Sequence, residues 1–327
     1  MRLTRESLER NQVSIYFVAI AVAAIAGLLS PTFAGLSGAL ITPAIAVLMY
    51  AMFLQIPFLS LRAALANRRF LGALLLANFV FIPILVWTLT LPLSEHRAIR
   101  VGALLVLLTP CIDYVVVFTH LGKGDSRLVL SATPILLLLQ FALLPAYLAL
   151  ILSGDSGVAV SVAPFIEAFL ALIVAPLVLA VLTEALSGRS RAARSWTDAW
   201  AWMPVPAMAA VLTVVIGSRI AVVAADAGDL APVLPVYVAF LVLAPALGAL
   251  AARLFRLPSP AARAVVFSSS TRNSLVVLPL ALALPEDFRS LAAAAVITQT
   301  MVELAGELIY LKAIPALVWR ERRPPGL

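Results

Sequence analysis

The chain has 327 residues, 63% of them hydrophobic and only 12% charged, with a mean hydropathy of +1.08. Soluble domains carry about twice that charged fraction, so the composition excludes an ordinary soluble protein and predicts one that crosses a membrane many times. The net charge of +7 does not point to nucleic acid, because the basic residues sit in short loops between apolar stretches, and a single cysteine excludes an intrachain disulfide framework or a multi-cysteine metal site.

A helix needs about 20 apolar residues to cross the hydrocarbon core. Ten stretches qualify: 13–30, 36–57, 70–91, 98–121, 127–152, 162–186, 199–223, 232–255, 262–285 and 290–318. The first follows Arg2, Arg5 and Arg10 and ends at Ser30-Pro31, which has the outline of a signal peptide. With many spans following, it is read as the first membrane helix.

The fourth stretch is interrupted by Thr109-Pro110-Cys111-Ile112-Asp113. Proline lacks an N–H and clashes with the carbonyl four residues back, and backbone groups freed in lipid must be satisfied by protein, water or ligand. Taken alone, this reads equally as a proline kink beside a small buried Cys111. After the fifth stretch comes a polar connection, Ser153-Gly154-Asp155-Ser156-Gly157. It separates a first five-helix half, 1–152, from a second, 162–318, with 319–327 as a cytoplasmic tail. An odd number of spans per half inverts the second half, which gives an inverted 5+5 repeat.

The ninth stretch is interrupted by Ser268-Ser269-Ser270-Thr271-Arg272-Asn273. Hydroxyl side chains bond backbone carbonyls and relax a helix locally. A polar packing face explains the serines but not Arg272, which cannot shed its charge. Asp113 and Arg272 are separated by the same 159 residues as Thr109 and Ser268, so they occupy equivalent places in the two halves. Paired interruptions of this kind mark the midplane site of a carrier, and ionisable residues there are functional suspects. Helices 4 and 9 are therefore expected to break, and if the breaks cross, Asp113 and Arg272 are the natural partners. The tenth stretch carries Thr300, Glu303 and Glu307 on one face, with Gln299 beside them. Two carboxylates four residues apart repel when both are ionised, which favours one of them keeping its proton. They are candidates for proton coupling or, as readily, polar anchors. Glu167, Asn78 and Gln140 read as interhelical contacts. His96 and His120 read as loop residues, and Trp196, Trp200, Trp202 and Trp319 as interface anchors.

With the N-terminus in the cytoplasm, 18 of the 23 Lys and Arg fall in one set of loops and tails, four in the opposite set, and Arg272 in a span. This bias predicts both termini on the cytoplasmic side of the inner (plasma) membrane. P-loop, dinucleotide-fingerprint and metal-ligand spacings are absent, so neither an enzyme nor a cofactor or metal is expected, and transport would not use the chain's own ATP hydrolysis.

At Pro110-Cys111-Ile112…Val115…Val117…Leu121…Lys123-Gly124-Asp125, with Met49-Tyr50 and Asn78…Pro83, the sequence resembles the bile acid:sodium symporter superfamily, and more closely its arsenical-resistance branch of arsenite efflux permeases. The resemblance covers essentially the whole chain. It implies ten helices in an inverted 5+5 repeat, divided into a panel and a core subset with the broken fourth and ninth helices crossing, and a role for Cys111 in arsenite handling. The chain departs from the family in having Pro110 where arsenite permeases tend to carry Arg, and Ser274 where they carry a glutamate. Sodium-coupled relatives place Glu and Gln ligands near Ser268 and Arg272, and hydroxyls near Leu136–Leu139. An Arg in that position should repel sodium and act as a tethered cation.

The expected function is secondary active, sodium-independent, proton-coupled efflux of arsenite or a related small oxyacid. Cys111, Asp113, Ser268, Ser270, Thr271, Arg272 and Asn273 would bind substrate, and Glu303 or Glu307 would couple protons. The expected partners are a small-molecule or oxyanion substrate and the lipid bilayer, with no nucleic acid. The sequence names no protein partner. A sodium-independent organic-anion carrier is the alternative within transport. A non-transporting sensor or scaffold is the alternative outside it, disfavoured because a scaffold has no need of ions at midplane.

Overall fold

The computed structural model describes residues 5–55, 67–112, 114–152, 170–225, 227–282 and 284–318, and among these it is helical throughout apart from turns and one isolated backbone bridge. The helices are α1 (Arg5–Leu29), α2 (Pro31–Phe53), α3 (Arg68–Leu93), α4 (Arg97–Leu107), α5 (Val115–Leu121), α6 (Ser126–Leu152), α7 (Ala175–Ser187), α8 (Arg191–Trp200), α9 (Pro204–Ala225), α10 (Leu234–Leu254), α11 (Ser259–Ser270), α12 (Ser274–Leu282) and α13 (Glu286–Leu317). Among the described residues five helices are long and apolar enough to cross a membrane, or six if the bent pair α8–α9 counts as one. The chain is an all-α membrane protein. Two predicted spans are split, into α4–α5 and α11–α12. The seventh begins later than predicted: α8 is a separate polar helix bent 50° from α9. Pro204 stands at the first position of α9, where proline starts a helix rather than continuing one.

The helices form two compact units, each drawing on both halves of the sequence. In one, α9 packs on α1 and α2, and α7 on α2 and α8. The Ser30 side chain caps α2 by accepting from the Phe33 N–H at 3.2 Å, and Pro31 occupies the first helical position. The Tyr50 hydroxyl bonds Thr183 of α7 at 2.9 Å and accepts from the Trp196 indole of α8 at 3.0 Å, while its ring meets Trp200 edge-on at 4.8 Å.

The other unit contains α3–α6 and α10–α13. Its closest contacts need glycine. A Cβ on Gly102 of α4 would overlap the backbone of Ala292 in α13, and one on Gly248 of α10 would overlap the Ser269 side chain of α11. Small residues let membrane helices approach this closely. Gly102→Val is therefore expected to cost about 1–3 kcal/mol by overpacking, readable as a lower thermal unfolding midpoint in detergent.

Proline leaves carbonyls to be satisfied, and tyrosines satisfy them. Pro83 cannot bond the Phe79 carbonyl, which accepts from the Tyr147 hydroxyl at 2.6 Å. Pro245 cannot bond the Leu241 carbonyl, which accepts from Tyr310 at 2.5 Å. These hydroxyls replace the helix bonds that proline cannot make. The first of these relaxations includes a π-helical turn, Ala77–Phe81, which carries Asn78. Such turns recur at functional sites.

Candidate functional site

The two breaks meet through extended backbone. Pro110 and Arg272 face each other as an isolated antiparallel bridge. Cys111 N–H donates to the Thr271 carbonyl at 3.1 Å, and Asn273 N–H to the Thr109 carbonyl at 2.9 Å. In this register Pro110 and Arg272 form the pair that exchanges no bonds with each other. Pro110, with no N–H to offer, thus occupies a place where none is needed, and the Arg272 N–H is left to bond elsewhere.

Both helices entering the breaks end in a low-dielectric interior, so their last carbonyls need donors. At the end of α4, the Leu105 carbonyl accepts from the Thr109 hydroxyl at 2.8 Å and the Leu107 carbonyl from Arg272 Nη1 at 3.4 Å. At the end of α11, Phe267 accepts from the Thr271 hydroxyl at 2.7 Å, while Ser268 and Ser269 accept from Arg272 Nη2 at 2.8 and 2.7 Å. Asn78 Oδ1 accepts from Nη2 at 2.9 Å, and the guanidinium lies 5.5 Å from the Phe240 ring centre. One fully buried cation thus caps the C-terminal, partially negative ends of two helices. That explains how a guanidinium is tolerated here: backbone dipoles surround it in place of water.

The carboxylates of α13 reach the same crossing. Glu303 Oε2 accepts from the Arg272 N–H at 2.8 Å and from Gln299 Nε2 at 2.6 Å, and Oε1 lies 2.5 Å from the Tyr114 hydroxyl. That hydroxyl is also 2.9 Å from the Arg272 carbonyl. Glu307 Oε1 lies 2.6 Å from the Thr271 hydroxyl, and its other oxygen has no protein partner among the described residues. Both glutamates are fully buried.

Of the residues the sequence singles out, Cys111, Thr271, Arg272, Asn273, Glu303 and Glu307 come together at the crossing, all of them buried. Ser268 is tied to Asn78, whose Nδ2 donates to its hydroxyl at 3.1 Å. The Ser270 hydroxyl donates to the Val266 carbonyl at 2.7 Å. Asn273 caps α12 by accepting from the Val276 N–H at 3.2 Å, while its Nδ2 and the neighbouring Ser274 hydroxyl have no protein partner among the described residues. Asp113 lies outside the described residues, and with it the expected Asp113–Arg272 contact; Glu167 and Trp319 lie outside them too. The sequence marks Asn78 and Gln299 only as minor contacts and does not single out Tyr114, yet these three bond Arg272 and Glu303, while the Arg272 Nε has no partner among the described residues. Tyr114 had one local signal, a hydroxyl one residue beyond the first break.

Buried charges, two broken helices and backbone carbonyls turned onto a cation define a polytopic membrane carrier. The model of the Sodium Bile acid symporter family matches residues 42–226, more than half of the chain. The chain belongs to that family and is a membrane transporter of the bile acid symporter type. The matched stretch includes the first break, and the second break and α13 lie beyond it. No curated protein matches the chain significantly.

Proposed function

We propose that the chain is a secondary carrier that needs no sodium, couples to protons and exports arsenite or a related small oxyacid. The observation that carries the sodium-independent part is the surroundings of Arg272. Broken-helix carriers hold their coupling cation with unwound carbonyls and helix C-terminal ends. Here those oxygens, from Leu107, Ser268 and Ser269 with Asn78, already hold a guanidinium. A second cation at this place would meet its repulsion.

The substrate reading rests on what remains around the crossing. Arg272 spends its two terminal nitrogens on carbonyls and an amide and leaves only Nε without a partner among the described residues, which weakens the case for an organic anion held in a two-pronged grip by that charge. Arsenous acid is uncharged at neutral pH and presents three hydroxyls around a thiophilic atom. The crossing offers matching groups: the Cys111 thiol, Asn273 Nδ2, and the Ser274 hydroxyl at the start of α12. One thiol captures reversibly, as a carrier requires. The ten-span inverted layout, a substrate role for Asp113, and both termini on the cytoplasmic side of the plasma membrane are part of the same proposal.

The test is arsenite flux in everted membrane vesicles. Replacing Na⁺ by choline is expected to leave flux unchanged, a protonophore to abolish it, and Cys111→Ser to lower it at least tenfold. Flux that disappears without sodium would overturn the coupling assignment. Unimpaired arsenite flux in Cys111→Ser would overturn the substrate assignment.

A further inference from the structure

We propose that Tyr114 is a positioning residue that links protonation of Glu303 to the broken backbone at Arg272. This rests on the proton-coupled reading above and names which carboxyl couples and through what. It follows from counting protons and lone pairs. Glu303 Oε2 has two lone pairs, and two donors fill them: the Arg272 N–H at 2.8 Å and Gln299 Nε2 at 2.6 Å. A proton arriving at the carboxyl is therefore taken by Oε1, which faces the Tyr114 oxygen at 2.5 Å.

Tyr114 has one O–H, and its reach includes two acceptors, Glu303 Oε1 and the Arg272 carbonyl at 2.9 Å. With Glu303 ionised, the O–H points to the carboxylate. With Glu303 protonated, Oε1–H donates to the tyrosine oxygen, and the tyrosine O–H turns to the Arg272 carbonyl. No proton leaves Tyr114, and the only proton gained or lost is that of Glu303. Both Glu303 oxygens keep a partner in either state. What changes is whether the second break is tied through its carbonyl to α13. Arg272 also forms the bridge to Pro110 and caps α4 and α11, so this tie acts on the crossing itself.

Glu307 has only part of this arrangement. The Thr271 hydroxyl lies between Glu307 Oε1 at 2.6 Å and the Phe267 carbonyl at 2.7 Å, but that carbonyl belongs to α11 rather than to the break, and the other Glu307 oxygen has no partner among the described residues, so nothing directs a proton to the oxygen that faces the hydroxyl. Among the described residues, the charged and titratable groups that face Glu303 are Arg272 and Tyr114 across the crossing, with Glu307 and Tyr310 on its own helix. Cys111 reaches the same cluster through Arg272. Tyr237 of α10 turns its hydroxyl away, to the Ala295 carbonyl at 2.8 Å.

The test is infrared difference spectroscopy of the purified full chain in lipid, between acid and alkaline pH, which needs no substrate. The wild type is expected to show a protonated-carboxyl band that Glu303→Gln removes. In Tyr114→Phe that band moves to higher frequency, because the acid O–H loses its acceptor. The pH profile of arsenite flux moves with it by about one unit, as loss of one hydrogen bond to a titrating group implies. Replacing Tyr114 by 3-fluorotyrosine keeps the shape and both bonds, and is expected to move the band less while retaining flux. This second variant decides the matter if Tyr114→Phe does not fold. A band and profile indifferent to both changes would overturn the proposal, as would a band that persists in Glu303→Gln. A Tyr114-sensitive band without proton-driven flux would instead sink the functional reading and leave the switch standing.

Discussion

Arg272→Ala is expected to abolish transport and to cost about 3 kcal/mol or more, the penalty for removing one member of a buried charged network. The side chain is fully buried, and its two terminal nitrogens serve Leu107, Ser268, Ser269 and Asn78. Without it the last carbonyls of α4 and α11 lose their donors, and Glu303 loses the nearest positive charge. The loss should be partly reversible. The oxygens left behind form a cage for a monovalent cation, so millimolar guanidinium or sodium is expected to raise the thermal unfolding midpoint of Arg272→Ala and leave the wild type unmoved. A variant as stable as wild type, or one indifferent to both cations, would show that the guanidinium does not hold the crossing together.

Glu303→Ala is expected to be nearly as damaging, while Glu303→Gln is expected to fold. Alanine removes the acceptor of three donors: the Arg272 N–H, Gln299 Nε2 and the Tyr114 hydroxyl. Each unsatisfied buried donor costs about 1–3 kcal/mol, and the Arg272 charge also loses the Glu303 counter-charge. Glutamine keeps an oxygen for the N–H groups and offers an amide N–H to Tyr114. The yield of monodisperse protein after detergent extraction separates the cases: a severe drop for Glu303→Ala, near-normal recovery for Glu303→Gln, and no proton-driven flux in either. Equal recovery of all three proteins would mean that the cluster carries little stability.

Much of the site is legible in the sequence because lipid makes polar residues conspicuous. In a run such as Ala261–Leu284, Arg272 and its hydroxyl neighbours stand out against an apolar background, and so do Glu303 and Glu307 in the last helix. Proline at position 110 likewise announces a break. The partners are not legible. Asn78 reads as an ordinary interhelical contact and Tyr114 as an ordinary aromatic, because nothing local says that they meet Arg272 and Glu303, 194 and 189 residues away. Tyr147 and Tyr310 are hidden for the same reason, since the carbonyls they serve lie 68 and 69 residues off.

The sequence by itself determined that this is a helical membrane protein with polar interruptions in two helices and carboxylates in a third, because burial in lipid penalises every such residue and leaves it visible. Only the tertiary structure decided how those residues are satisfied. The register of the backbone bridge places Pro110 where no N–H is needed and releases the Arg272 N–H to Glu303. The ends of α4 and α11 converge on one guanidinium, and a single tyrosine hydroxyl lies between two acceptors. Hydrogen bonds reach only about 3 Å, so their pairing depends on which segments the fold brings together, which spacing along the chain does not record.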